Sequence, residues 1–63
     1  MKVVVPRGSG AAGQRVGLDE HETHHLKVRR AQDGERVEVL DGAGFKGTGI
    51  LVQSGREWMV EVA

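Results

Sequence analysis

Alternating hydrophobic and polar positions in the second half of the chain predict β-strands. The alternation covers residues 36–41 and 57–62, and residues 45–52 lie between them as a further extended arm. Asp41-Gly42 and Ser54-Gly55 are turn dipeptides, so the three arms join as hairpins in an antiparallel meander. The side chains that a period of two places on the inner face are Val37, Val39, Trp58, Val60 and Val62.

The first third of the chain predicts shorter strands separated by a loop. Residues 3–5 are β-branched valines followed by proline, which indicates a short strand. Residues 7–13 are rich in Gly, Ala and Ser and indicate a flexible loop, and residues 14–18 predict a second, weak strand. Gly47 and Gly49 indicate a bend or bulge in the meander. The predicted fold is therefore mainly β: a small, bent antiparallel β-barrel of about five strands, closed so that no strand edge is exposed.

One short helix is predicted at about residues 20–30. Asp19 is suited to the N-cap, and Glu22 follows at the capping-box spacing. Carboxylates in the first turn and arginines in the last turn match the helix macrodipole. Gly34 either ends the helix or closes the turn that follows it.

Length and composition limit the chain to a single domain, residues 1–63. A chain of 63 residues buries only about 60% of its unfolded surface, so its stability is marginal. There is no cysteine, which excludes disulfides and thiolate metal sites. No apolar run approaches the roughly 18 residues of a membrane span. Phe45 and Trp58 are the two aromatic residues, and we expect both in the core.

A zinc-protease pattern, H-E-x-x-H, is formally present at residues 21–25. His21 and His25 would share one helical face, but His24 points away from it and nothing in the sequence supplies the third protein ligand that catalytic zinc requires. Glu22, which would be the general base, is predicted to cap the helix instead. We therefore expect no metal and no catalytic residues in this chain.

Basic residues are concentrated at the end of the predicted helix, although nine Lys and Arg balance nine Asp and Glu over the whole chain. Lys27, Arg29 and Arg30 are suited to neutralising phosphates, and His24 and His25 to hydrogen-bonding phosphate or ribose. A further candidate is Arg7, on the flexible loop. The alternatives are that the arginines complement the helix dipole or pair with nearby carboxylates, and that the lysine and the loop arginine are ordinary solvated residues.

From Thr23 to Gly42 the chain resembles the N-terminal domain of the RsmE-type ribosomal RNA (uracil-N3)-methyltransferases. Their pattern is His-His-Leu, a basic residue, Val-Leu-Arg, then Gly with an acid, alternating hydrophobic positions and Asp-Gly-x-Gly. The matching residues here are His24-His25-Leu26-Lys27-Val28-Arg29-Arg30, Gly34-Glu35, Val37, Val39-Leu40-Asp41-Gly42 and Gly44. The start, Lys2 to Pro6, is similar to the family's basic-aromatic-aromatic-Val-Pro opening. Arg29 stands where leucine is usual, and valines stand at 3 and 4 where aromatics are usual.

The resemblance implies a PUA-like RNA-binding barrel that is one part of a larger methyltransferase. It implies that this domain helps to position small-subunit 16S ribosomal RNA, while a C-terminal domain binds S-adenosylmethionine and methylates a uridine at N3. It also implies a homodimeric, cytoplasmic parent protein. No cofactor site is expected within these 63 residues. The chain stops on a predicted strand, and we therefore expect it to be a fragment whose catalytic domain is missing.

A protein-interaction or dimerisation barrel that does not bind RNA is the alternative function. Ultracentrifugation and RNA-binding measurements discriminate between the two, because the alternative predicts dimers and no affinity for RNA.

Overall fold

Five strands and one α-helix make up the structure, a computed structural model that describes all 63 residues. In chain order the elements are β1 (Lys2–Val4), β2 (Arg15–Gly17), α1 (Glu20–Val28), β3 (Arg36–Leu40), β4 (Lys46–Ser54) and β5 (Glu57–Val62). The predicted mainly β fold with one short helix is confirmed.

The strands form one curled sheet in the order β1-β3-β4-β5-β2. The predicted meander is present, since β3 pairs antiparallel with β4 and β4 with β5, and β2 adds to it antiparallel to β5. In contrast to the all-antiparallel expectation, β1 runs parallel to β3. The chain between them includes β2 and α1, and such a long crossover is what a parallel pair requires. β1 and β2 do not pair with each other, so the sheet is a half-barrel with two free edges.

The core fills the inner side of this curled sheet. The predicted alternation of inward and outward side chains is confirmed in β3 and β5, whose inward side chains are buried. Leu26 is the one apolar side chain that α1 buries completely. Trp58 is 9% exposed and belongs to the core, against which Phe45 packs half-buried. The buried apolar cluster consists of Val3, Val5, Leu26, Val37, Val39, Leu51, Trp58, Val60 and Val62.

The two glycines of β4 serve close packing rather than a bulge. The register of β3 against β4 is continuous through both of them, so the bulge, one of the two predicted possibilities, is absent. A Cβ added at Gly49 would lie 2.7 Å from Val60 Cγ2 and 2.8 Å from the Glu61 carbonyl oxygen. A Cβ at Gly47 would lie 2.8 Å from the Phe45 ring. At both positions glycine allows a neighbouring strand or ring to approach the backbone.

The helix begins as predicted, but without a reciprocal capping box. The Glu22 N–H donates to Asp19 Oδ1 over 2.8 Å, which confirms the N-cap. The Glu22 side chain does not return to the backbone of Asp19. It is buried instead, and its Oε2 has no hydrogen-bond partner and lies 3.7 Å from Nδ1 of His25.

The helix ends two residues earlier than the prediction of residue 30, at Val28. The Ala31 N–H donates to the Leu26 carbonyl and the Arg30 N–H to the Lys27 carbonyl, over 2.9 and 3.1 Å. These two bonds define a Schellman motif. Arg30 occupies its left-handed position with φ 56°, where glycine is usual, and is the only non-glycine residue with positive φ. Gly34, with φ 86°, closes the following turn.

The β3–β4 turn, residues 41–45, is organised by one carboxylate. Asp41 is 4% exposed, and its Oδ1 accepts the N–H groups of Ala43 and Phe45 over 2.8 and 3.0 Å. The pKa of Asp41 lies below its ordinary value, mainly because the Ala43 N–H donates a hydrogen bond to the carboxylate. Desolvation acts in the opposite direction, and the N–H groups of Phe45 and Gly10 lower the pKa further. The prediction that Asp41 holds the hairpin turn is confirmed.

Candidate nucleic-acid interface

A groove of about 630 Å³ separates α1 from the turn that joins β4 to β5. Its floor includes Trp58, the most buried large side chain in its lining. Three of its lining residues are cations, two contributed by the helix end and one by the turn. The residues that define this basic groove are Thr23, Lys27, Arg30, Gln53, Arg56 and Trp58.

Local structure explains why the three cations converge. Thr23 and Lys27 are four residues apart and share one helical face. Arg30 follows the helix in the left-handed position of the Schellman motif, and its side chain lines the groove beside Lys27. Arg56 lies in a two-residue hairpin loop, because Ser54 pairs with Glu57. Gly55 has φ 61° in this loop, as the first residue of type II′ turns requires.

No carboxylate neutralises the basic groove within ion-pair distance. The ion pairs of the structure are Arg15 with Glu61, Lys46 with Glu38, and His25 with Glu22 if the histidine is protonated. Lys27, Arg30 and Arg56 take part in none of them. The pairing of Arg29 or Arg30 with a nearby carboxylate, one of the alternatives from the sequence, is therefore absent. Lys27, Arg30 and Arg56 are thus free to bind an external anion.

The six residues that the sequence singled out do not form one site. Lys27 and Arg30 line the basic groove, whereas the other four do not. Arg29 is exposed as the C-cap residue, and two helical steps of about 100° direct it away from the face of Lys27. His24 is exposed on the outer face of the helix. His25 is the inward histidine, half-buried beside Glu22. Arg7 is exposed on the loop after β1.

Arg56 is the groove cation that sequence reasoning missed. The uncharged groove residues Thr23, Gln53 and Trp58 were also not predicted to line it. Arg56 follows Ser54-Gly55, so the turn itself was recognisable. Its proximity to the helix end was not, because pairing of β4 with β5 and packing of α1 against them create this neighbourhood.

A second cavity of about 340 Å³ continues the groove toward the start of the helix. The two cavities share Thr23, Arg56 and Trp58 in their linings. The second one adds Glu20, from the first turn of α1, and Glu57, from the start of β5. We call the part of the groove lined by Glu20 and Glu57 the acidic end. The groove therefore has cations at one end and carboxylates at the other.

The H-E-x-x-H residues do not assemble a metal site. His21 is exposed, whereas Glu22 is buried against the core side of the helix. No three side chains of the His, Asp and Glu types lie close enough together to hold a metal ion. The single helix is also too short and too polar to cross a membrane.

Comparison with known proteins identifies a family and related solved structures. The RNA methyltransferase PUA domain family matches residues 18–57. Ribosomal RNA small subunit methyltransferase E from Neisseria gonorrhoeae, solved bound to S-adenosyl methionine, is 26% identical over 97% of this chain, with a TM-score of 0.81. A predicted RNA methyltransferase from Thermotoga maritima is 28% identical over 98% of the chain, with a TM-score of 0.75. This chain spans only 26% and 28% of those two proteins. No curated protein matches it.

Proposed function

Because this chain belongs to the RNA methyltransferase PUA domain family, we propose that it is an accessory domain that binds RNA through its basic groove. The observation that carries this proposal is the convergence of Lys27, Arg30 and Arg56 from two elements on one groove, without an ion-pair partner. Arg and Lys neutralise phosphates and release counterions, and Arg does so with bidentate geometry. Such contacts hold and position an RNA backbone without reading its sequence.

The more specific proposal concerns the longer protein. There, the domain would position small-subunit 16S ribosomal RNA for N3-methylation of a uridine by a methyltransferase domain in a cytoplasmic homodimer. The likeness to ribosomal RNA small subunit methyltransferase E supports this, since this chain corresponds to about a quarter of that protein. S-adenosylmethionine would bind in the remainder of the longer protein, since the related structure solved with S-adenosyl methionine extends well beyond the quarter to which this chain corresponds. The residues of the groove would bind and orient RNA, and no step of methyl transfer is assigned to them.

The remaining predicted residues would extend the contact surface beyond the groove. His24 is exposed on the helix, Arg29 is exposed at its C-cap on a different face from Lys27, and Arg7 is exposed on its loop. His25 is half-buried next to a carboxylate, so we propose a weaker contribution for it. Exposed cations outside a groove make phosphate contacts that water and salt screen more strongly.

The test is RNA affinity as a function of salt. Fluorescence anisotropy of a labelled RNA hairpin with a single-stranded loop gives Kd over a series of KCl concentrations. The groove variant combines Lys27→Ala, Arg30→Ala and Arg56→Ala. Each lost contact to a single-stranded phosphate lowers the slope of log K against log salt by about 0.7, so we expect a decrease of about 2.

The control removes three exposed cations outside the groove, Lys2→Ala, Arg36→Ala and Lys46→Ala, of which Lys46 also loses its ion pair with Glu38. It changes the net charge by the same amount, so any effect of total charge is common to both variants. Equal losses in the groove variant and in the control would contradict the assignment of the groove. A wild-type protein with no salt-sensitive affinity for RNA would contradict the function itself.

A protein-interaction or dimerisation module remains the second candidate because apolar side chains are exposed. Val28 is 67% exposed on the helix, and Val4 is 47% exposed on the edge strand β1. Sedimentation equilibrium of the wild type and of Val28→Ser tests it. A dimer that Val28→Ser dissociates, together with no RNA binding, would favour this candidate.

A further inference from the structure

The groove carries opposite charges at its two ends, and this arrangement limits how a nucleotide can lie in it. Lys27 and Arg30 line only the basic part, Glu20 and Glu57 line only the acidic part, and Arg56 borders both. Neither glutamate is in an ion pair. Phosphate is therefore attracted to one end and repelled from the other.

Helix stability alone does not account for the acidic end. A carboxylate in the first turn of a helix, such as Glu20, is favourable with the macrodipole whatever the function. Glu57 does not stabilise a helix, because it is an exposed residue at the start of β5. It lines the same cavity as Glu20 from a different element. The two walls thus supply one carboxylate each.

Carboxylates accept hydrogen bonds and do not donate them when ionised. Among the RNA bases, guanine offers two adjacent donors on its Watson–Crick edge, N1–H and N2–H₂, which suit a carboxylate. Adenine and cytosine offer an amino group beside an acceptor nitrogen, and uracil offers a single N–H between two carbonyls. The acidic end therefore favours guanine on chemical grounds.

We propose that the groove binds one nucleotide in a fixed orientation, with its phosphate at Lys27, Arg30 and Arg56 and a guanine base directed to Glu20 and Glu57. This rests on the proposed RNA-binding function and adds a base preference to it. Glu20 and Lys27 are seven residues apart, about 10 Å along the helix axis. That separation suits the extent of a single nucleotide from phosphate to base edge. Trp58, on the floor between the two ends, supplies an apolar surface.

The experiment compares three fluorescein-labelled pentaribonucleotides of sequence UUGUU, UUIUU and UUUUU, where I is inosine. Inosine keeps the N1–H of guanine and lacks its N2 amino group. We expect the 63-residue chain to bind UUGUU roughly tenfold more tightly than UUUUU, with UUIUU between them. Glu20→Gln and Glu57→Gln should each reduce this preference and increase the affinity for UUUUU, because each removes a charge that repels phosphate. Thermal melts monitor the folding of each variant.

Glu61→Gln is the charge control, because it removes the same charge from β5 outside both cavities, although it also breaks the exposed ion pair of Glu61 with Arg15. It should leave the guanine preference intact. Salt-sensitive binding of all three RNAs with equal affinity would overturn the orientation and leave the RNA-binding function standing. A guanine preference that neither Gln variant alters would overturn the role of the carboxylates. No binding to any RNA would overturn both proposals.

Discussion

The β3–β4 turn and the basic groove use charged residues in opposite ways. In the turn, the charged group is buried and its hydrogen bonds to backbone N–H groups are complete, with Asp41 accepting from Ala43 and Phe45. In the groove, Lys27, Arg30 and Arg56 are exposed and have no ion-pair partner. A charge whose partners all belong to the chain stabilises the fold. Charges that converge without partners are available to a ligand, which makes the groove the better candidate for function.

The two regions also differ in how glycine is used. The Phe45 ring lies against Gly10 and Gly47, where a Cβ would approach within 2.5 and 2.8 Å of ring atoms. Glycine at these two positions, one in the loop after β1 and one in β4, thus allows the ring that ends the turn to pack against the backbone. At the helix end, by contrast, Arg30 has the left-handed backbone conformation that glycine would adopt more readily. The groove gains a cation at the cost of about 1 kcal/mol of backbone strain.

We expect Asp41→Ala to be more destabilising than substitution of any of the three groove cations, Lys27, Arg30 and Arg56, because those are exposed. Asp41→Ala removes the buried carboxylate that accepts the N–H groups of Ala43 and Phe45, two part-buried hydrogen bonds that fix the turn. Urea denaturation measures the loss in free energy of unfolding. Asp41→Asn, which keeps one acceptor oxygen, should recover part of it. A stability of Asp41→Ala close to that of the wild type would remove the distinction between the two regions.

The same residue makes the wild type sensitive to acid. The folded-state pKa of Asp41 lies below its ordinary value, with the hydrogen bond from Ala43 as the largest cause. Its contribution is therefore complete above the unfolded-state pKa of about 4 and is lost as pH falls through the folded-state pKa. Urea titrations from neutral to acidic pH should show less acid sensitivity in Asp41→Asn than in the wild type. Equal acid sensitivity would contradict this assignment.

Gly10→Ala should be the next largest effect, a destabilisation of about 2 kcal/mol. Its Cβ would lie 2.5 Å from Phe45 Cδ2, so the ring or the loop must move, and overpacking costs in this range. Gly17→Ala is the control, because a Cβ there meets nothing within 4 Å and its φ is not in the left-handed region. We expect Gly17→Ala to change stability by less than about 1 kcal/mol. Equal effects at the two glycines would mean that the ring does not hold the loop.

The smallest expected effect on stability is the most informative about the groove. Arg30→Gly should stabilise the fold by about 0.5 kcal/mol, because relief of the left-handed backbone outweighs the greater entropy that glycine loses on folding. Its affinity for RNA should nevertheless fall. Arg30→Lys keeps the charge and the strain, so it should retain both the wild-type stability and most of the affinity. A destabilised Arg30→Gly, or one with unchanged RNA affinity, would contradict the trade-off.

Local patterns were sufficient to predict the elements whose partners are close in sequence. The alternation at residues 57–62 and the turn dipeptides led to the meander, and Asp19 marked the start of the helix. The end of the helix was misjudged by two residues because the left-handed position holds Arg30 and not the glycine that usually marks it. The bulge expected at Gly47 and Gly49 was wrong for a different reason. The atoms that require glycine there, a ring and a neighbouring strand, come into contact with it only in the folded sheet.

The candidate site was predicted only in part, again because folding brings distant residues together. Lys27 and Arg30 were identified because they lie in one basic segment. Arg29 lies in that segment too, but the helical rotation directs it away from the groove. Arg56 reaches the groove only through the pairing of two strands and the packing of the helix. The cluster of basic residues in the sequence therefore indicated which part of the helix takes part in the candidate site. It did not indicate which of its side chains line the groove.

The parallel pairing of β1 with β3 has a consequence for how the chain folds. Val3 of β1 pairs with Val39, and Val16 of β2 pairs with Val60. Both edge strands can therefore pair only with strands that are synthesised much later. The meander, with local contacts only, is the natural nucleus, and the amino-terminal strands add to it after the long loops close. During translation, β1 and β2 therefore leave the ribosome before the strands with which they pair, β3 and β5. The sheet is complete only once β5 has emerged.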